Sequence, residues 1–304
     1  MFATIKNRIA GGANPVALLS AVLLSALVLG AVQPAAAQSA AKDLFSAKAA
    51  PAALPPESYG FYSKGCISGA VALPTDGPTW QAMRLSRNRR WGHPTMVAFL
   101  EKLSGEASAR GIWPGLLVGD ISQPRGGPMA SGHASHQVGL DADIWFQPMP
   151  RKKLSANERE KFPFRSVLRK GTLAVDDRIW SDNYRDLIKL AAGDPKVQRV
   201  FVHPGVKKKL CETAGSDRSW LRKVRPIYGH DEHFHIRLFC QPGSPGCKPQ
   251  EPVGKDEGCD DLGWWFNVAL KPPKPGAKPG KPRPAMTMAA LPAACRVVLN
   301  APDG

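Results

Sequence analysis

Five of the seven histidines fall in two short segments, residues 131–143 (Ser-Gly-His-Ala-Ser-His-Gln-Val-Gly-Leu-Asp-Ala-Asp) and 229–235 (Gly-His-Asp-Glu-His-Phe-His). Both segments also carry carboxylates. Imidazole and carboxylate are the groups with which hydrolytic sites hold zinc, three protein ligands leaving a fourth position for water. A lone histidine is most simply a packed or hydrogen-bonded side chain. Five in two clusters, each with an acidic partner, point to a metal centre.

Such a centre needs elements that present these side chains together. In an extended chain alternate residues share a face, so His233 and His235 point one way while Phe234 and Ile236 point the other. Asp141 and Asp143 likewise share a face opposite Ala142 and Ile144. His136 precedes that strand in a Ser/Gly-rich loop that can fold back to set its ring beside Asp143, with Asp141 placed to support His136 or His133. Glu232 adjoins His233 but faces the opposite side of the strand, which argues against it as a general base.

Strand-like runs occur at 116–121, 139–146, 197–203 and 233–239. Helical patterns occur at 94–109, at 183–192 behind the cap candidate Ser181, and in a short segment from Ser216 with Trp220, Leu221 and Val224 as its apolar side. His93, before Pro94, reads as a helix-start residue, and His203, closing an apolar strand, as structural. Without a regular βαβ rhythm, the pattern predicts an α+β fold: one domain with a central, mainly antiparallel sheet flanked by helices and long loops.

Residues 1–37 have a cationic start at Lys6 and Arg8, an apolar run over 16–32 and a Pro-Ala-Ala-Ala end, the pattern of a cleaved secretory signal. The run is shorter than the ~20 residues of a membrane span, and no later stretch matches it, so no transmembrane segment is expected in the mature chain. The formal charge is +16, or +14 once Lys6 and Arg8 leave with the signal. An exported chain this basic suits an anionic matrix such as acidic lipid or wall polymer, with no role in nucleic-acid binding. Residues 38–57, rich in Ala, Ser and Pro, read as an extended lead-in, 58–270 as the folded domain, and 271–304 as a Pro/Lys-rich tether and tail. Nothing in the sequence specifies an oligomeric state.

Six cysteines in an exported chain suggest disulfide staples. Six allow about 15 pairings. Cys240 and Cys247 flank a Pro-Gly-Ser-Pro-Gly turn, and a bridge from Cys295 to an early cysteine such as Cys66 would anchor the tail. The expected set is Cys66–Cys295, Cys211–Cys259 and Cys240–Cys247.

The spacing His136-x6-Asp143 with the later His233-x-His235 resembles the signature of the metallopeptidase group that includes lysostaphin-type and D-Ala-D-Ala peptidases and the hedgehog proteins. Within it the chain is most similar to the penicillin-insensitive murein endopeptidases. Stretches 87–94, 131–136, 190–194 and 220–226 and the Pro/Lys tract before Cys295 share in the likeness, which spans essentially the whole mature chain.

The resemblance implies that His136, Asp143 and His235 bind a Zn2+ ion, with His133 an added ligand or a supporting partner. It implies His233 as the catalytic histidine beside the metal water, and His230 on the substrate side of the cleft. The implied activity is hydrolysis of D-alanyl cross-links in peptidoglycan, in the periplasm. Arg87, Arg89 and Arg90 read as a solvated basic face that can also meet stem-peptide carboxylates. The rival readings are a D,D-carboxypeptidase or dipeptidase on the same architecture, and a non-catalytic zinc-containing wall-binding protein.

Overall fold

A computed structural model of the chain describes residues 39–274 and 284–304, with Gly276 and Lys278 between them. The expected leader, 1–37, lies outside the described residues. At the centre is a six-stranded sheet in the order Trp80–Ala82, Leu116–Val118, Asp141–Pro148, His233–Leu238, Val197–Val202 and Val224–Pro226. The three inner pairings are antiparallel and the two edge pairings parallel. The fold is α+β with a mainly antiparallel sheet, as the sequence predicts.

The two longest inner strands separate their side chains by alternation. Ala142, Ile144, Phe146, Phe234, Ile236 and Leu238 are buried in the main core. They pack under the helices Pro94–Ala109 and Asp182–Gly193, whose Met96, Leu100, Leu103, Leu187, Ile188 and Ala191 supply the facing apolar stripe. The other face carries Asp141, Asp143, Trp145, His233, His235 and Arg237.

His93 and His203 do the same local work. Each precedes a proline at the first helical position, and each ring accepts from a backbone N–H of the first turn, Thr95 at 3.2 Å and Gly205 at 3.0 Å. Both are helix caps. His203 opens a helix, Pro204–Thr213, that the sequence reading did not identify.

Some expectations need correction. The short helix expected from Ser216 is a 3-10 turn at Ser219–Lys223, and Val224 belongs to an edge strand. The strand expected over 116–121 stops at Val118. A Cβ on Gly119 would lie 2.8 Å from Trp145 Nε1, so the chain passes that ring only as glycine and then turns away. Segment 38–57 is not simply extended: it holds the helix Ala41–Ser46, and Ala41, Phe45 and Ala52 are buried.

The reason is a second apolar cluster that neither terminus forms alone. Ala41, Phe45 and Ala52 pack with Met288, Leu291, Val298 and Leu299 around the Cys66–Cys295 disulfide. The tail therefore ends in a docked helix, Ala294–Asn300. The fully buried Arg125 donates to the carbonyls of Val298, Leu299 and Ala301, groups left unpaired at that helix's end, and pairs with Asp303. Arg125 lies in the long segment leading to His133 and His136, so the tail holds that segment in place. The other disulfides are Cys211–Cys259 and Cys240–Cys247, and all three are the pairs expected from the sequence.

Because Cys66–Cys295 spans 229 residues of sequence, the double variant Cys66→Ser/Cys295→Ser should lose about 2–5 kcal/mol of stability in urea denaturation. An unchanged midpoint would mean that the Arg125 contacts alone dock the tail.

Candidate metal centre

The antiparallel register places His235 opposite Asp143, His233 opposite Trp145 and Arg237 opposite Asp141. Residues directly opposite in such a ladder have side chains about 5 Å apart on the same face. Two segments nearly a hundred residues apart thereby present imidazole and carboxylate to one point. His136 reaches the same point from its loop with φ +66°, a left-handed conformation costing on the order of 1 kcal/mol for a non-glycine residue. Its backbone N–H donates to Asp141 Oδ2 at 3.0 Å. The neighbouring Gln137 is bonded to the hairpin Glu57–Phe61/Lys64–Ser68 and its turn through Tyr62 O, Ser63 O and Gly65 N.

Three donor atoms converge. His136 Nε2 lies 3.1 Å from His235 Nδ1, and each lies 3.4 Å from Asp143 Oδ1. Zinc bonds of 2.0–2.1 Å at tetrahedral angles put neighbouring ligand atoms about 3.3 Å apart. Asp143 Oδ1 is buried and accepts no hydrogen bond. A buried carboxylate oxygen ringed by imidazole nitrogens but bonded to none is what a divalent cation would satisfy. The residues present therefore fit a metal ion.

Contacts on the outer side of the centre orient the two rings. His136 Nδ1 donates to the carbonyl of Ile121 at 2.7 Å, leaving Nε2 to face the centre. His235 Nε2 lies 3.0 Å from Asp141 Oδ1, which leaves Nδ1 to face the centre. Asp141 is held in turn by Arg237 at 2.8 and 3.1 Å. Asp141 thus supports His136, one of the two partners the sequence suggested, through its backbone N–H, and lies against the ring of His235.

His133 stands at the rim. With His136 and Asp143 it forms a looser grouping whose donor atoms lie within 4.8 Å of one another. Its Nε2 is 3.0 Å from Asp120 Oδ2 and 3.5 Å from Asp143 Oδ2. A carboxylate only accepts, so Nε2 donates its proton to Asp120 and has no lone pair to give. The tighter trio of His136, Asp143 and His235 is the better cradle. The same Asp120 oxygen pairs with Arg87 at 3.2 Å and Arg89 at 3.0 Å. Arg89 is buried rather than part of a solvated basic face, and Arg90 donates to Leu73 O.

Protonation follows burial and neighbouring charge. Burial alone would lower the pKa of His136, but the Asp143 carboxylate beside it raises it to about 9. His235 is pushed down to about 3 by burial, with Asp141 opposing. Burial works to raise both carboxylates, yet Asp141 is held far below the usual range by Arg237 and His235, and Asp143 by His136 and His233. The centre therefore keeps two carboxylates ionised out of water.

His233 Nε2 is buried, lies 3.7 Å from Asp143 Oδ1 and has no hydrogen-bond partner. The ring of His230 lies 4.8 Å from that of His233, its Nδ1 donating to Tyr228 O at 2.8 Å. Burial, then His233, lowers the His230 pKa to about 4. A small cleft of about 80 Å³ opens over Asp143, His133 and His233, walled by Arg87, Trp145 and Phe164. All five predicted histidines and Asp143 are thus brought to one place. The sequence reading missed Asp120 and Arg237, although Arg237 continues the alternate spacing of His233 and His235, and Asp120 ends an apolar strand run.

The family profile described as penicillin-insensitive murein endopeptidase matches residues 58–300. Curated proteins of that description are similar along most of both chains. The one from Haemophilus influenzae is 46% identical over 80% of this chain and 82% of its own. The Klebsiella pneumoniae protein is 41% identical over 80% and 86%, and that of Yersinia enterocolitica 40% over 82% and 88%.

Two outcomes check the geometry. A proton on His136 competes with a cation, so zinc affinity should rise about tenfold per pH unit between pH 6 and 8 and level off near pH 9; chelator competition across that range measures it, and a flat profile would refute the assignment. Replacing the carboxylate behind His235, Asp141→Asn, should weaken zinc binding roughly 10–100-fold, with circular dichroism as the control for folding.

Proposed function

The chain belongs to the family of penicillin-insensitive murein endopeptidases, and on that footing we propose that it is an exported, zinc-dependent hydrolase of the D-alanyl amide cross-links between peptidoglycan stem peptides. The observation that carries the metal chemistry is the buried, hydrogen-bond-free Asp143 Oδ1, ringed by His136 Nε2 and His235 Nδ1 at 3.4 Å. His136, Asp143 and His235 are the proposed ligands, with His133 bonded to Asp120 beside them. Bound zinc supplies a Lewis acid for an amide carbonyl and lowers the pKa of a water to roughly 7.

The rest of the chemistry belongs to the chain's own side chains. Asp141 and Arg237 hold His235 in one tautomer, and Ile121 does the same for His136. His233 lines the cleft, and its Nε2, beside Asp143 and without a partner, is placed to pass a proton or to stabilise charge on a substrate oxygen. His230 flanks it on the side where substrate approaches. The scissile amide of the stem peptide would approach over the cleft lined by Phe164 and Arg87. Hydrolysis of this kind forms no acyl-serine, so penicillins have nothing to trap.

The leader-like residues 1–37, the three disulfides and the positive charge support a periplasmic, wall-facing location. Among the described residues no helix is long and apolar enough to cross a membrane.

The test uses purified cross-linked stem-peptide dimer and free pentapeptide. The expected result is conversion of dimer to monomer, and attack on pentapeptide alone would make the protein a carboxypeptidase instead. His233→Ala should lower kcat by about 10²–10⁴ with the zinc content unchanged. Equal turnover by variant and wild type would leave the zinc a structural role.

A further inference from the structure

The residues that follow Cys259 build a surface feature that the metal centre does not use. Leu262–Trp264 forms a short helical turn that continues as a wider π-helical turn, Trp265–Ala269. Leu262 is buried and anchors the segment, while Trp264 and Val268 are 54% and 60% exposed. Trp265 meets Trp264 edge-on with ring centroids 5.1 Å apart, and meets Tyr228 at the same distance. Tyr228 is 53% exposed, and its hydroxyl donates to Ala269 O at 3.2 Å. Two indoles and a phenol thus form one ledge facing solvent. Contiguous exposed aromatic surface of this kind marks a recognition site.

A chain of contacts links the ledge to His233. The Tyr228 carbonyl accepts from His230 Nδ1, and the His230 ring lies 4.8 Å from that of His233. A polymer running from His233 past His230 would meet Tyr228 and then the indoles. Its chemistry can be read from the ledge. Flat aromatic faces beside polar groups suit a pyranose ring, which offers apolar C–H faces rimmed by hydroxyl and acetamido groups. The exposed Asn267 lies among the aromatics as a hydrogen-bonding partner, and the exposed Lys271 and Lys274 follow as cations for carboxylates.

We propose that Tyr228, Trp264 and Trp265 form a saccharide subsite that binds the amino-sugar strand of the polymer whose peptide stems enter the cleft. The identity of that strand as murein glycan rests on the function proposed above. The stacking surface itself does not. A lipid surface is the competing occupant, but it would not account for the continuity from Tyr228 through His230 to His233.

The experiment titrates the full-length mature protein with a tetramer of N-acetylglucosamine, followed by tryptophan fluorescence and calorimetry, with and without chelator. Saturable binding is expected in both conditions, weakened at least tenfold in Trp264→Ala and largely restored in Trp264→Phe. The kcat/KM of Trp264→Ala should fall at least tenfold further on intact sacculi than on glycan-free cross-linked dimer. Absence of tetramer binding, equal binding by Trp264→Ala, or a fluorescence shift with phosphatidylglycerol vesicles but not with the sugar would overturn the proposal. Because the sugar titration needs neither zinc nor turnover, its failure is distinguishable from failure of the peptidase reading.

Discussion

The antiparallel pairing of Asp141–Pro148 with His233–Leu238, in the register that sets His235 across from Asp143, is the constraint on which the centre depends. A slip of one residue by either strand would turn Asp143 or His235 into the apolar core and push Ile144 or Ile236 out. The buried row on the far face, from Ala142 to Phe146 and from Phe234 to Leu238, resists that slip. The hydrophobic alternation that stabilises the sheet is thus also what aligns the two halves of the centre. Folding and ligand placement are enforced by the same side-chain periodicity.

Placing charge there is costly, since two carboxylates and several imidazoles sit in a region nearly free of water. The structure offsets this by pairing each group outward. Asp141 takes Arg237, His235 and the His136 backbone, and Asp120 takes Arg87, Arg89 and His133. Arg237 is itself held against the ring of Tyr62, 4.1 Å away, and bonded to Gln250. The inner oxygen of Asp143 is left without a hydrogen bond, as is His233 Nε2 beside it. Unpaired polar atoms thus remain at the point where the donors converge.

The loop bearing His133 and His136 is the part the sheet does not hold. It is secured by Gln137 on the hairpin turn, and by Arg125 on the carbonyls at the end of the tail helix. The Cys66–Cys295 bridge joins the same hairpin to the same helix. Residues near both termini therefore support a histidine far from either in sequence. The strained backbone of His136 is tolerated because its surroundings over-determine it.

Much of this was legible from residue order. Period-two alternation placed His233 with His235 and Asp141 with Asp143, because the face a strand residue occupies is a local property of extended chain. The His-Pro caps at 93 and 203 were equally local. What residue order left open was everything that depends on which distant groups meet. Asp120 becomes the partner of His133 only when the chain turns at Gly119 beneath Trp145. Arg237 becomes the clamp on Asp141 only through strand register. The helix Ala41–Ser46 forms in a segment that looked extended, because its apolar side is buried only once the tail arrives. Local covalent geometry determined which side chains share a face; long-range packing decided which faces meet, since burial and charge pairing exist only after the chain has closed on itself.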